Sequence, residues 1–435
     1  MTSLSRLVEY GIALFGLFFM SGTLTSFLTP QGSATAPLVQ AIGAALGLYS
    51  VVALLFTPNS IPRVLGLYWP ALLPVLLAVM SLGWTEDTSL TLRRAGSLGL
   101  TTAFAFWLVF RFTPIQIFQL VVTMAVSIIA VNFAIIQIQP TRGIHQSYDI
   151  INAHHAGSWR GLFGHKNDFG RLTALSTAIL VMGFVFGVGG RYLRWGMIPL
   201  IGIAIVMITQ SSSSQATLLA STVPTSVAAL LLMRRISPAG RSIMLVVALP
   251  FAIIAALSAQ LVFEYVLGLL GRDATLTGRT EIWEGVILSL GGHGVLGGGY
   301  GAGWQIVGPR LAGLTGIEVG HAHNGFLDLA VDIGAVGLGL TLVFMLWLGT
   351  LAFRSLMQGV EPEISVLALS VILFALIGNV AGSFLLLHNS LYWVLPVVTF
   401  AKLRDVPYAS YQTGIARDAG ETHQADPSAA EPGYP

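Results

Sequence analysis

The chain contains no cysteine, which excludes disulfides, thiolate nucleophiles and cysteine-ligated metals. It is also poor in charge. Only 9% of its 435 residues are Asp, Glu, Lys or Arg, against about 25% in soluble globular domains. The 21 basic and 19 acidic side chains nearly cancel, for a formal charge of +2. The basic residues are scattered rather than gathered in an arm, so nothing draws the chain to nucleic acid. What is abundant is apolar: 54% of residues are hydrophobic and the mean hydropathy is +0.79. This composition predicts an all-α polytopic integral membrane protein. The N-terminus lacks a short apolar region followed by a small-residue cleavage site, and Leu7 to Leu28 reads as a retained first span.

A helix needs about 20 mainly apolar residues to cross a bilayer. By that measure the sequence predicts about 12 transmembrane helices, near 7–28, 37–56, 64–82, 95–110, 114–138, 168–188, 193–209, 213–233, 242–263, 325–353, 363–383 and 385–403. The stretch 325–353 exceeds one span, and its first turns, through Gly334, form a candidate interfacial helix. With the N-terminus in the cytoplasm, that side receives Arg6, Arg63, Arg111, Arg191, Arg194, Arg234, Arg235, Arg241, Arg354, Lys402, Arg404 and Arg417. Most lie in short connections, where positive charge is most informative about sidedness. Both termini are then cytoplasmic, and two long connections, near 139–167 and 264–324, lie outside as periplasmic loops. Those loops still hold Arg142, Arg160, Lys166, Arg272, Arg279 and Arg310, against the usual bias. The chain divides into N-terminal helices over 1–138, a region with the outer loops over 139–404, and a tail over 405–435. The tail is rich in Ala, Pro, Gly and acid and is expected to be disordered and cytoplasmic.

Four stretches can carry chemistry. Ser158 to Arg171 places Arg160, Lys166 and Arg171 among glycines that let backbone approach a ligand. Arginine offers a planar fork and lysine a point charge, which suits phosphate; lipid head groups would suit the same cluster. In the second loop, Thr277 can cap a helix whose first turn contains Glu281. Arg279 there is disfavoured by the helix dipole. An anion shared with the helix N-terminus resolves the conflict, as does a pairing with Asp273. Gly291 to Trp304 is too glycine-rich for a helix and matches no nucleotide-binding pattern. It reads as a flexible connection or a mobile loop over a site. Tyr300 and Trp304 suit the interfacial aromatic belt or stacking on sugars.

The fourth stretch, Gly320 to Leu329, sets His321, His323, Asn324 and Asp328 at a membrane edge. Two residues apart, the histidines would not share a helix face. A metal bound by both would need Asp328 or Asp332 as a third ligand. A general base is better supported, because an imidazole with a pKa near ~6.5 can be neutral at neutral pH. Carboxylates in an apolar helix are expensive, about 2.5–3.5 kcal/mol at its centre. Asp328 and Asp332 are therefore expected to line an outer cavity or the interface. Asn132, Asn379, His388 and Asn389 lie near span ends and suit interhelical hydrogen bonds.

These residues resemble the O-antigen ligase and Wzy-type polysaccharide polymerase superfamily. Its members carry His followed by Asn, Ser or Gln, then nine residues, then Gly-x-x-Gly. Here His323-Asn324 is followed by nine residues and by Gly334-Ala335-Val336-Gly337, a match over 15 positions. Gly278-Arg279 with Trp283 is similar to the family's Gly-Arg…Trp element. Arg160-Gly161-Leu162-Phe163-Gly164-His165-Lys166-Asn167 resembles the exopolysaccharide branch typified by the rhizobial succinoglycan polymerase.

The resemblance implies a membrane glycosyltransferase of the bacterial inner membrane. It would be inverting, metal-independent and without a cofactor, with its site facing the periplasm. The implied substrate is an oligosaccharide on undecaprenyl pyrophosphate, passed to the next lipid-linked repeat. Membrane lipid, a chain-length regulator and export machinery are the implied partners. His323 is the implied base. Arg279 and Arg160 would hold the pyrophosphate, and Lys166, Arg272, Asn324, His321 and Asp328 would bind substrate. The rivals are an O-antigen ligase acting on lipid A–core and, more distantly, a flippase, which would place charges near the midplane of several spans.

Overall fold

The computed structural model describes residues 3–29, 36–149, 155–208 and 279–406. The expected spans 213–233 and 242–263, Asp273, Arg272, Thr277 and nearly all of the tail lie outside the described residues. Among the described residues the regular structure is helical, apart from one antiparallel bridge between Ile144 and Trp159.

The helices are α1 (Ser3–Met20), α2 (Thr25–Leu28), α3 (Pro37–Leu55), α4 (Ser60–Gly66), α5 (Trp69–Met80), α6 (Thr88–Arg111), α7 (Pro114–Ile138) and α8 (Pro140–Gly143). They continue with α9 (Lys166–Val185), α10 (Gly190–Ile208), α11 (Arg279–Leu290), α12 (Gly303–Thr315), α13 (Gly325–Met357), α14 (Pro362–Gly378) and α15 (Leu391–Arg404). Five of them, α3, α7, α9, α10 and α13, are long and apolar enough to cross a membrane. A sixth span arises if α4 and α5 count as one, bent by 82°. On α3 and α13 many of the exposed residues are large and apolar, among them Leu48, Leu55, Val343 and Leu346. Such faces belong against lipid rather than water.

The bundle closes around α15, which packs on α6, α13 and α14 and is buried on every side, from Leu391 to Leu403. At one end of the bundle Lys402 donates to the Val109 carbonyl (2.6 Å), Arg63 pairs with Asp405 (2.6 Å), and Arg111 pairs with Glu9 (2.6 Å). The opposite end holds the start of α13, the loop 379–390 and the start of α6. These polar groups therefore lie at two ends of the bundle.

Three details differ from the sequence reading. The apolar residues Leu385 to Leu387 were expected to open the last span, 385–403, but the helix starts only at Leu391 and they lie in a loop. Asn379 stops α14 there: its side chain donates back to the Ala375 carbonyl (2.7 Å) and accepts from the Phe384 N–H (2.8 Å). Helix α6 starts at Thr88 rather than near 95, because Asp87 caps it by accepting from the Leu90 N–H (2.9 Å). That adds two turns, which carry Arg93 and Arg94. Finally, the glycine-rich stretch is not a loose connector. Gly298 and Gly299 donate to the carbonyls of Val331 and Asp332 (both 2.9 Å), while Ala335 and Val336 donate to those of Gly294 and Val295 (2.9 and 3.2 Å).

This seam coincides with a break in α13, where Ile333 and Gly334 leave helical geometry. The break falls where the interfacial first turns were expected to end. Gly334 has φ +70°, and a Cβ there would lie 2.1 Å from the Val295 oxygen. Gly334→Ala should therefore cost at least about 1–2 kcal/mol from the left-handed backbone alone. Gly339, where a Cβ meets open space, should accept alanine without loss. Thermal melting of the two variants in detergent checks this, and equal melting temperatures would remove the seam from the account of the fold.

Candidate active site

The site is built on one buried alanine. Ala322 is fully buried; its N–H donates to Asp328 Oδ1 (2.8 Å), and its carbonyl accepts from Trp283 Nε1 (2.9 Å). Trp283 belongs to α11, which packs with α12 through Ile282, Val286, Val307 and Leu311 in a small core shared with Ala322. The residues flanking Ala322 are His321 and His323. Their rings meet edge to face at 3.9 Å between centroids, and the His323 N–H donates to His321 Nδ1 (3.3 Å). His323 has φ +52°, a conformation that non-glycine residues hold only where their surroundings impose it. Asn324 then starts α13, its carboxamide oxygen accepting from the N–H groups of Phe326 and Leu327 (3.0 and 3.3 Å). Its amide oxygen thus acts as a helix cap.

Asp328 ties this turn to its surroundings. Beyond Ala322 it accepts from Trp304 Nε1 (2.8 Å) and from the Ser383 hydroxyl. Trp304 is held by this internal bond, and Tyr300 is buried with its hydroxyl donating to the Leu386 carbonyl (2.7 Å). Tyr300 thus lies inside the protein rather than in an interfacial belt.

His323 is half-buried and surrounded by positive potential. Burial, then the neighbouring His321, Arg279, His165 and Arg171, push its pKa down to about 4. The imidazole is thus neutral at neutral pH and open to a proton. Arg279 stands at the first position of α11; burial pulls its pKa down, and no described carboxylate lies within ion-pairing distance. Arg171 pairs with Asp168 (3.4 Å) and lies over the Phe384 ring (4.6 Å). Read from sequence as one cation of the phosphate-suiting stretch, able to pair with Asp168 or to face the same cavity, it does pair with Asp168 and stands among the charges around His323.

Arg160 is differently engaged. It pairs with Asp149 (3.1 Å) and donates from Nε to the Arg142 carbonyl (3.0 Å). Gly161, expected to let a ligand approach, instead makes room for Asn132, whose Oδ1 would lie 2.2 Å from a Cβ. That oxygen accepts from the Leu162 N–H (2.9 Å) and fixes the loop to α7. Beside it the rings of His145, His155 and His165 gather within 5.0–5.9 Å of one another. Burial chiefly pulls His145 down, and His165 faces both this group and His323. Lys166 opens α9 next to His165. Among the described residues no three His, Asp or Glu side chains are arranged to hold a metal ion.

Residues 197–342 match the family described as O-antigen ligase. This stretch is similar to an O-antigen ligase domain. A curated relative, the exopolysaccharide production protein ExoQ of Rhizobium meliloti (strain 1021), is 29% identical over 223 residues. The alignment covers 48% of this chain and 50% of that protein, so the chain spans about half the length of the relative it matches. Together they support the O-antigen ligase and Wzy-type superfamily, as the motif at His323 implied, on its exopolysaccharide side, as the stretch Arg160 to Asn167 implied. The domain contains Arg279, His321, His323, Asn324 and Asp328.

The electrostatics around His323 can be checked without an activity assay. In the purified protein, NMR of isotope-labelled histidine should show His323 protonating only near pH 4. Arg279→Gln removes one of the cations holding it down, so its pKa should rise. A wild-type titration near the ordinary ~6.5 would contradict the burial and charge pattern described above.

Proposed function

We propose that the protein is a polysaccharide polymerase of the bacterial inner membrane, with about 12 spans and both termini cytoplasmic. It transfers a growing glycan from undecaprenyl pyrophosphate to the next lipid-linked repeat unit at the periplasmic face, in exopolysaccharide biosynthesis. The observation that carries this reading is a neutral, half-buried His323 facing Arg279 and Arg171, in a domain of the O-antigen ligase family. A glycosyl transfer off a pyrophosphate needs a proton acceptor beside a cationic cradle, and this arrangement supplies both.

In the proposed reaction an acceptor hydroxyl sits against His323, which takes its proton as the oxygen attacks the anomeric carbon. The bond to pyrophosphate breaks with inversion. Arg279 stabilises the charge that grows on the leaving group, with Arg171 beside it. Such preorganised donors are often worth ~3–4 kcal/mol each. Arg160, held by Asp149, and Lys166 act at the rim of the same cluster, and Arg272 belongs to the same proposed set. No metal or cofactor enters this scheme. The carboxamide of Asn324 and the carboxylate of Asp328 position the histidine turn. Chain-length control and export fall to partners outside this chain.

The test is glycan analysis in a deletion strain complemented with variants present at wild-type level. His323→Ala should abolish polymer and leave single repeats on lipid. Arg279→Gln should reduce polymer by about 100-fold, the size of one lost charge-stabilising donor. Asp328→Asn should reduce it roughly 10–100-fold, since hydrogen bonds to a charged acceptor are worth about 1.5–3 kcal/mol. Full polymer from His323→Ala would end the proposed base role. Normal chains that fail only to reach lipid A–core would indicate a ligase. Purified protein that moves lipid-linked repeats without forming a glycosidic bond would indicate a flippase.

A further inference from the structure

Behind the histidine turn lies a cavity of about 90 Å³ to which the proposed reaction assigns no role. It is framed by the start of α6, the seam glycines, the first turns of α13 and the loop 383–388. Its polar wall is formed by Arg94, Tyr300, Asp328, Asp332, Ser383 and His388. Each has been brought there by an identifiable device. Arg94 is reached by the early start of α6 and donates to the Gly301 carbonyl (2.5 Å). Gly301 has φ +74°, and a Cβ there would lie 2.1 Å from the Arg94 side chain, so the loop can pass this close only as glycine. Asp332 occupies the last turn before the break in α13 and accepts from the backbone of Gly301 and Gly303. His388 lies in the loop held by Asn379, its ring 6.3 Å from that of Tyr300. No described side chain hydrogen-bonds the His388 imidazole.

The chemistry of this wall differs from that around His323. There the neighbours are Arg279, Arg171 and two imidazoles, and no carboxylate is among the groups that set the His323 charge. Here two carboxylates face inward with one guanidinium. A pyrophosphate would be repelled by Asp328 and Asp332. A polyol would not: carboxylates accept from its hydroxyls, Arg94 donates to its oxygens, and His388 and Ser383 can do either. The volume is that of roughly six waters at about one probe sphere each, the footprint of a single hexose ring. Phe384 and the leucines after it supply an apolar wall for a ring face. Asp328 belongs to both sites, because the oxygen that holds Ala322 beside His323 is on a carboxylate that also lines the cavity.

We propose that the cavity lined by Arg94, Asp332, Ser383 and His388 is a binding subsite for one sugar ring of the glycan, set against the histidine turn through Asp328. The proposal rests on the glycosyltransferase reading for its choice of ligand, and it names residues that select the sugar. Arg94 and Asp332 engage hydroxyls, and Asp328 couples occupancy of the cavity to the placement of His323.

Two probes separate the subsite from the pyrophosphate site. One is undecaprenyl pyrophosphate bearing no sugar. The other is the free oligosaccharide released by mild acid from lipid-linked repeats that accumulate in a strain lacking this protein. Binding of each is measured on the full chain in detergent. Asp332→Asn and Arg94→Gln should weaken the oligosaccharide about tenfold, the loss of one hydrogen bond to a charged group. Both should leave bare undecaprenyl pyrophosphate within twofold. Arg279→Gln should do the reverse. Equal weakening of both probes, or no change in either, overturns the proposal. If Asp332→Asn does not fold, as judged by melting in detergent, Arg94→Gln and His388→Ala decide it by the same criterion. The two readings can fail separately: wild-type protein that forms no glycosidic bond yet keeps the binding split loses the polymerase reading and keeps the subsite. A working polymerase without the split loses only the subsite.

Discussion

The carboxylate of Asp328 is the constraint on which the end of the bundle holding the histidine turn depends. It accepts from a backbone N–H, an indole and a hydroxyl that belong to three separate stretches of chain. Without an acceptor in that position the turn at Ala322 would keep only the Trp283 bond, and His323 would have no reason to hold a positive φ. Hydrogen bonds to a charged group are stronger than neutral ones, which suits the use of a carboxylate here rather than an amide. The cost of placing a charge in an apolar helix is offset because Asp328 is in the first turn of α13, ahead of the break and close to the helix N-terminus, where the dipole favours a negative charge.

The break itself explains why the sequence signature around His323 ends in Gly-x-x-Gly. Gly334 is needed for its left-handed backbone and for the approach of Val295. Gly337 is needed because a Cβ would lie 2.2 Å from the Ile333 side chain. Neither contributes a functional group. The motif therefore joins a chemical element, His323, to a packing element 11 residues later, and the seam of hydrogen bonds to Gly294, Val295, Val331 and Asp332 makes the two one rigid body. A single-span helix would carry Asp332 down into the bilayer. The break lets the polar turns stay at the end of the bundle while the remainder runs through it.

Much of this was legible in the residues and some was not, for physical reasons. The helical class, the ends of α3 and α7 and the double nature of α13 followed from apolar run length and from Gly334. So did the cavity-lining roles of Asp328 and Asp332, because carboxylates in an apolar stretch need polar company. Leu385 to Leu387 were read as the start of the last span because apolar content alone does not distinguish a span from a buried loop. The hook formed by Asn379 is what ends the helix. Arg94 was missed for the opposite reason: apolar periodicity begins at Ala95, and only the capping residue Asp87 marks the two polar turns before it. The clamp on Ala322 could not be foreseen, since Trp283, Asp328 and Ser383 are distant in sequence and meet only in the folded chain.

The arrangement also has a consequence for the order of events in the proposed reaction. Arg279 is partly buried and has no described counter-ion, and a buried charge without a partner is costly. In the proposed reaction, an arriving pyrophosphate relieves that cost. The same guanidinium, with Arg171 and His165, keeps a proton off His323. Binding the anion neutralises those cations, and the proton affinity of His323 then rises while the acceptor hydroxyl is in place to lose its proton. When the reaction breaks the glycosyl bond, the full charge of the leaving pyrophosphate favours the imidazolium further. Donor binding thus strengthens the base at the step that needs it. Burial is the largest cause of the depression and persists; the share due to Arg279 and Arg171 is the part that an arriving anion removes.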